Sequence, residues 1–197
     1  MAKRFVALLV LSLVLPAVAT AANVHVRVEG KTQTIWGTTA PSLTATTAKD
    51  ALEQASIAGE FYYHVTFTSF GPYVDQIGRY GGDASSGWVF KVNNTSPPVG
   101  ADQVTLADGD NVLWYYATFG PNGGPPTLSL ASVTGGCYRV TAYDDAGKST
   151  SVDGLVVHVG SKQSISTTTG AKVCPGPHPG VLVRATATGA VRSNSLK

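Results

Sequence analysis

The sequence predicts an α+β fold class: an N-terminal region with one helix packed on a sheet, followed by a small all-β sandwich. Three observations carry this reading. First, Trp88, Phe90 and Val92 share one face of an extended run and Val89, Lys91 and Asn93 the other, while Val112, Trp114 and Tyr116 alternate with Leu113, Tyr115 and Ala117. Second, the period changes between residues 48 and 58, where Ala48, Ala51, Leu52, Ala55 and Ala58 fall on one helical face. Third, beyond a Gly- and Pro-rich stretch at 120–126, short strand-like runs recur at roughly ten-residue spacing, the pattern of a sandwich.

Each element follows from local chemistry. Val24, Val26 and Val28 alternate with His25, Arg27 and Glu29, a half-exposed strand, and Gly30-Lys31 turns it into a hairpin with 33–36. Thr47 is placed to cap the helix, with Asp50 three residues on, and Gly59 to stop it. Alternation resumes from Phe61 to Phe70, breaks at Gly71-Pro72, and leaves a short irregular strand over Tyr73–Ile77. Asp108-Gly109-Asp110 supplies the turn before the run at 112–116. Glycine by freedom and proline by restriction make 120–126 a linker, flexible in its Gly part and held apart by its Pro pair. The strand-like runs after it are Thr127–Val133, Cys137–Tyr143, Gly154–Val159, Lys172–Cys174 and Val181–Ala187, with a last edge at Ala190–Ser193.

Residues 1–21 read as a secretory signal peptide: Lys3-Arg4, an apolar run from Phe5 to Leu15, Pro16, then small residues ending in Ala19-Thr20-Ala21. The apolar run falls short of the roughly 20 residues that span a bilayer. No later stretch is apolar enough to do so, which points to a secreted or extracytoplasmic protein. Without Lys3 and Arg4, the 14 basic residues become 12, equal to the 12 acidic ones. A formally neutral mature chain gives no support for nucleic-acid or anionic-membrane binding. The only cysteines, Cys137 and Cys174, are expected to form a disulfide in an oxidising compartment.

Catalytic and metal signatures are absent from the sequence. His25, His64, His158 and His178 are scattered without ligand spacing. The Asp108/Asp110 and Asp144/Asp145 pairs lack the EF-hand pattern and fit turn capping. No nucleophile elbow accompanies Ser and His, so the chain is read as non-enzymatic. Trp88, Trp114, Phe90, Tyr63 and Phe67 could form an aromatic platform, although alternating aromatics are more often core. On the opposite faces Tyr62, Lys91, Asn93 and Tyr115 are read as exposed contact candidates, with Pro97-Pro98 as a rim. The candidate ligand-binding set is therefore Tyr62, Trp88, Phe90, Lys91, Asn93, Pro97 and Tyr115. Asn93-Asn94-Thr95 and Asn94-Thr95-Ser96 are overlapping glycosylation sequons.

Gly87-Trp88-Val89-Phe90-Lys91-Val92-Asn93, Pro98-Val99-Gly100-Ala101-Asp102 and Leu106-Ala107-Asp108-Gly109-Asp110 with Trp114-Tyr115 resemble the transcobalamin C-terminal-like domain of exported bacterial proteins. The resemblance covers about 24–119 and implies a β-grasp-like domain at 22–119. In the vitamin B12 carriers this domain forms one side of a clamp, so cobalamin is a candidate cofactor by resemblance alone. Residues 127–197 more weakly resemble carboxypeptidase-regulatory-like, prealbumin-type sandwich modules, through Tyr138–Ala142, Val156–Gly160 and Val183–Ala187. Such modules imply a spacer. The expected function is an exported binding or surface-interaction protein whose N-terminal domain presents a sheet face to a protein, a cell-surface component or a small molecule. Binding of a flat ligand such as a corrinoid, and a purely structural role, are the alternatives.

Overall fold

The computed structural model describes residues 20–69, 71–121 and 123–197. The signal-peptide expectation therefore lies outside the described residues except at its last two positions, as do Phe70 of the third predicted strand and Asn122 of the predicted linker.

The strands of the N-terminal half are β1 (Ala22–Glu29), β2 (Thr34–Trp36), β3 (Ser42–Ala45), β4 (Tyr63–Thr68), β5 (Gly71–Ile77), β6 (Tyr80–Gly81), β7 (Ser86–Val92) and β8 (Asn111–Thr118), with α1 (Ala48–Gly59) between β3 and β4. The first sheet has the order β2-β1-β8-β7, and β3 shares with β2 one side of β1. Within it β1 and β8 run parallel, with Val28 opposite Trp114, while β7 and β8 are antiparallel, with Phe90 opposite Trp114. A second sheet, β4-β5-β6, stands beside the outer edge of β7.

The C-terminal half contains β9 (Thr127–Val133), β10 (Cys137–Tyr143), β11 (Ser149–Thr150), β12 (Val156–Val159), β13 (Gln163–Ser166), β14 (Lys172–Val173) and β15 (Val183–Thr186). They make two sheets, one centred on β10 and one of order β13-β12-β15. Leu128, Leu130, Val140 and Ala142 from the first, with Val157, Val159, Val183 and Ala185 from the second, form a single buried cluster. Cys137 and Cys174 are joined in a disulfide, as expected, next to the short β10–β14 pairing.

The α+β class, with its β-grasp-like N-terminal domain, is overturned. The described residues hold fifteen strands and one helix of 12 residues, so the chain is essentially all-β. The helical period is real but confined to one element, too small to make a layer of equal weight. That helix buries Ala48, Ala51, Leu52 and Ala55 against the first sheet, and small side chains let it lie close. Ala58, predicted on the same stripe, is exposed. Among the described residues no helix is long and apolar enough to cross a membrane.

The helix ends are built as the sequence suggests at one end and differently at the other. Thr47 has extended backbone angles and its hydroxyl accepts from the Asp50 N–H at 3.1 Å, while the Asp50 carboxylate accepts from the Thr46 N–H at 2.7 Å. Thr47→Ala is expected to cost about 1 kcal/mol, the usual worth of such a cap, read as a lowered urea midpoint with unchanged m. At the other end the reversal is made by Glu60, at φ 51°, not by Gly59. Gly59 serves packing: a Cβ there would lie 2.1 Å from the Trp36 indole.

The two faces of the first sheet have different partners. Val24, Val26, Val28, Trp88, Val112 and Trp114 belong to the cluster that includes the helix. The opposite face carries Arg27, Glu29, Leu113, Tyr115, Ala117, Val89 and Lys91, and the C-terminal half covers it. Tyr115 and Ala117 there pack on Val191, with Val89 and Leu113 around them. The reading of β1 as half-exposed holds at His25 and is corrected at Arg27 and Glu29, which are 7% and 1% exposed. Glu29 accepts from Arg27 Nη1 at 2.9 Å and from Arg192 Nε at 3.0 Å, and Arg27 Nη1 also donates to the Arg192 carbonyl at 2.6 Å.

Candidate ligand groove

β7 is the outer strand of its sheet, and its hydrogen-bonding parity is fixed by its neighbours. The Asn93 N–H donates to the Asn111 carbonyl at 2.9 Å, and the Phe119 N–H to the Ser85 carbonyl at 2.9 Å. In an antiparallel ladder bonded pairs alternate with non-bonded ones. Gly87, Val89 and Lys91 therefore bond inward to β8, and Ser86, Trp88, Phe90 and Val92 direct their backbone groups outward. Val92 exchanges bonds with Thr95, the Ser86 carbonyl accepts from the Asp83 N–H, and the Tyr73 hydroxyl lies against the strand at Gly87. Among the described residues nothing bonds the N–H or C=O of Phe90.

A groove of about 320 Å³ opens at that point. It wraps the edge of β7 from one sheet face to the other. On the helix side its wall is Trp88, Phe90 and Trp114, with Lys49 and Ala101 at the margin. On the far side it is Val89, Tyr115, Phe119, Gly124 and Asp145, and the hairpin β4–β5 contributes Val65, Pro72, Tyr73 and Val74. Phe90 and Trp114 stack with centroids 5.1 Å apart. The indole N–H of Trp88 donates to the Tyr80 carbonyl at 2.7 Å and that of Trp114 to the Ala48 carbonyl at 3.0 Å. Their polar atoms are thus satisfied, and what remains toward the groove is ring surface.

The hairpin explains why the groove is apolar. One face of β4–β5 carries Tyr63, Val65, Phe67, Pro72, Val74 and Ile77. Ile77 and Val74 are buried, Val65 and Pro72 half-buried, and Phe67 is 81% exposed. Among the described residues, a single apolar face is core at the hairpin's base and open at Phe67. Gly87 permits the hairpin's docking, since a Cβ there would lie 2.5 Å from the Tyr73 hydroxyl oxygen.

Of the sequence-predicted residues, Trp88, Phe90, Pro97 and Tyr115 come together in the groove. Tyr62, Lys91 and Asn93 do not line it. Tyr62 is exposed ahead of β4. Asn93, at φ 50°, and Asn94, at φ 70°, form the tight turn that links Val92 to Thr95, a use for which asparagine is suited. The Asn93 side chain donates to Asp110 at 2.7 Å and accepts from the Asn111 N–H at 2.9 Å.

The expected exposure of Lys91 and Tyr115 is overturned: they are 0% and 1% exposed, because the C-terminal half covers their face. Lys91 Nζ donates to the Asp144 carbonyl at 2.7 Å and to Thr127 at 3.2 Å, and lies 3.4 Å from the Asp145 carboxylate. Burial lowers the Lys91 pKa, with Asp145 and Asp144 opposing that shift. Burial and the neighbouring Asp145 carboxylate push the Tyr115 phenol up. Asp145 also accepts from the Gly124 N–H at 3.1 Å and Ser96 Oγ at 3.3 Å. Sequence reasoning missed Asp145, Phe119 and the β5 residues; only the strand break at Gly71-Pro72 hinted at the last of these.

Among the described residues no group of three or more His, Cys, Asp or Glu could hold a metal ion. The nearest to a polar constellation is His64 with Asp75 at 2.7 Å, joined by Thr66, on the exposed outer face of β4–β5.

Comparison with known proteins finds a match to a stretch that carries part of the groove. Residues 45–118 match a family described as a domain of unknown function, DUF4430. The matched stretch includes α1, the hairpin, β7 and β8, and stops before Phe119, Gly124 and Asp145. No curated protein matches the chain. A solved structure from Ruminococcus gnavus ATCC 29149, described as "a putative metal binding protein", is 16% identical, with a TM-score of 0.38, over 49% of this chain and 97% of that one. A likeness at that level carries no argument about this chain.

Proposed function

We propose that this chain is an exported, non-enzymatic binding protein that holds an apolar ligand or partner segment in the groove along β7. The observation that supports this most is the apolar face of β4–β5, from which Val65 and Pro72 line the groove together with the Phe90–Trp114 stack while Phe67 beyond them stands exposed. Contiguous exposed apolar surface of this kind marks interaction sites. Export is supported by the signal-like residues 1–21 and by the Cys137–Cys174 bond, which persists in oxidising compartments. The C-terminal half contributes to the site as well as spacing it, because Asp145 lines the far wall beside Gly124 of the connecting segment.

The groove's volume lies at the lower end of the roughly 300–1,000 Å³ of ligand sites. That size favours a small apolar ligand or a few side chains over a macrocycle such as the corrinoid implied by the transcobalamin resemblance.

N-phenyl-1-naphthylamine, an uncharged fluorescent probe, is expected to bind saturably with enhanced emission and quenching of tryptophan. Val65→Arg, which places an unpaired charge in the apolar wall, is expected to weaken that binding roughly tenfold or more. Unchanged affinity in a folded Val65→Arg protein would place the probe elsewhere and sink this reading.

A further inference from the structure

We infer that the occupant of the groove is an extended, uncharged polypeptide segment of a partner, added as a short strand to the outer edge of β7 at Phe90. The inference rests on the groove being a binding site and goes further by naming what fills it. Its basis is the juxtaposition of two unbonded backbone groups with apolar walls on both faces of the sheet.

The backbone argument comes first. Phe90 directs an N–H and a C=O out of the sheet edge, and no described group bonds either of them. An extended backbone offers a matching C=O and N–H at the spacing of one residue, whereas an apolar small molecule leaves both unmet. Side chains of an added strand point alternately to the two faces. The groove continues on both: Val65 and Trp114 await one set, Val89 and Phe119 the other.

Charge then selects the segment. Two charged groups border the groove, and each has a partner within the chain: Lys49 lies 3.5 Å from Glu53, and Asp145 lies 3.4 Å from Lys91. An uncharged segment complements such a balanced rim. A second copy pairing edge to edge fits less well, because at the two ends of the strand the Val92 N–H and C=O are both bonded to Thr95 and the Ser86 carbonyl accepts from the Asp83 N–H. That leaves a short free edge centred on Phe90, enough for an inserted segment and too little for a β7–β7 ladder along the whole strand.

The test uses the whole protein and a fluorescein-labelled heptapeptide of alternating Thr and Val, beside the same peptide N-methylated at alternate amides. Fluorescence anisotropy is expected to show saturable binding of the first and a loss of roughly tenfold for the methylated peptide, matching one or two lost hydrogen bonds. Hydrogen exchange at the Phe90 amide should slow by at least about tenfold when the peptide is saturating, through the new bond, and stay unchanged with the naphthylamine probe. Equal binding of both peptides, or no binding of either, with the naphthylamine still bound, would overturn strand addition and leave the groove a binding site. Failure of peptide and naphthylamine alike would remove the binding reading itself. A dimer in sedimentation, with the Phe90 amide protected before any peptide is added, would assign the edge to a second copy and overturn the inference.

Discussion

Glu29→Ala is expected to destabilise the protein by about 3–5 kcal/mol, the cost of leaving buried charge without its partner. The carboxylate is 1% exposed and lies between Arg27 at 2.9 Å and Arg192 at 2.8 Å, with Thr34 Oγ1 donating to it at 3.0 Å. Its removal would set two guanidinium groups side by side in a largely buried site. Burial already lowers the Arg27 pKa, and Glu29 is the group that opposes this. Urea unfolding should show the loss as a lower midpoint. A change below about 1 kcal/mol would mean that water enters the site and screens the pair, as it does at exposed salt bridges. Replacing Arg27, Glu29 and Arg192 together by apolar residues is expected to cost far less, since the desolvation of three charges disappears with their attraction.

The second large effect is expected from Cys137→Ala combined with Cys174→Ala. The bond joins positions 37 apart in sequence, and in the chain-entropy account a loop of that length is worth about 3–4 kcal/mol. The backbone pairing that would remain beside the bond is short, because β14 has only two residues, paired with β10 at Tyr138 and Arg139. The stability loss should be matched by adding a reductant to the unaltered protein. A double variant within about 1 kcal/mol of the parent would show that residual order in the unfolded chain already closes the loop.

Much of the fold was legible because it is written in short-range patterns. The Ala48–Ala55 stripe with Thr47 before it, the valine alternation of β1, and the cysteine pair each state their structure within a few residues or by elimination. The class was misjudged because β3, β6, β11 and β13 are two to four residues long and rich in Ser, Thr, Gly or Gln, so alternation hardly marks them. A single clear helix then weighed too heavily.

The site was half legible for a different reason. Trp88 and Phe90 were found as large apolar residues on one face. Lys91 and Tyr115 fall on the faces opposite the apolar stripes of their strands, which by itself predicts exposure. Their burial depends on residues 127–145 returning over that face, a relation no local window contains. Phe67 shows the converse: a strand residue in phase with its buried neighbours that lies beyond the end of the core.

The path of the last residues has a mechanical consequence. One covalent connection, 120–126, joins the halves, yet the Ser195 N–H bonds the Thr38 carbonyl at 2.8 Å and Arg192 reaches the Gly30 carbonyl at 2.7 Å, while Ser96 and Lys91 hold Asp144 and Asp145 elsewhere along the junction. A single tether lets two bodies swivel, whereas attachments at separated points remove that torsional freedom. Whatever the C-terminal sheets are fastened to, the mouth of the groove therefore faces a set direction from it.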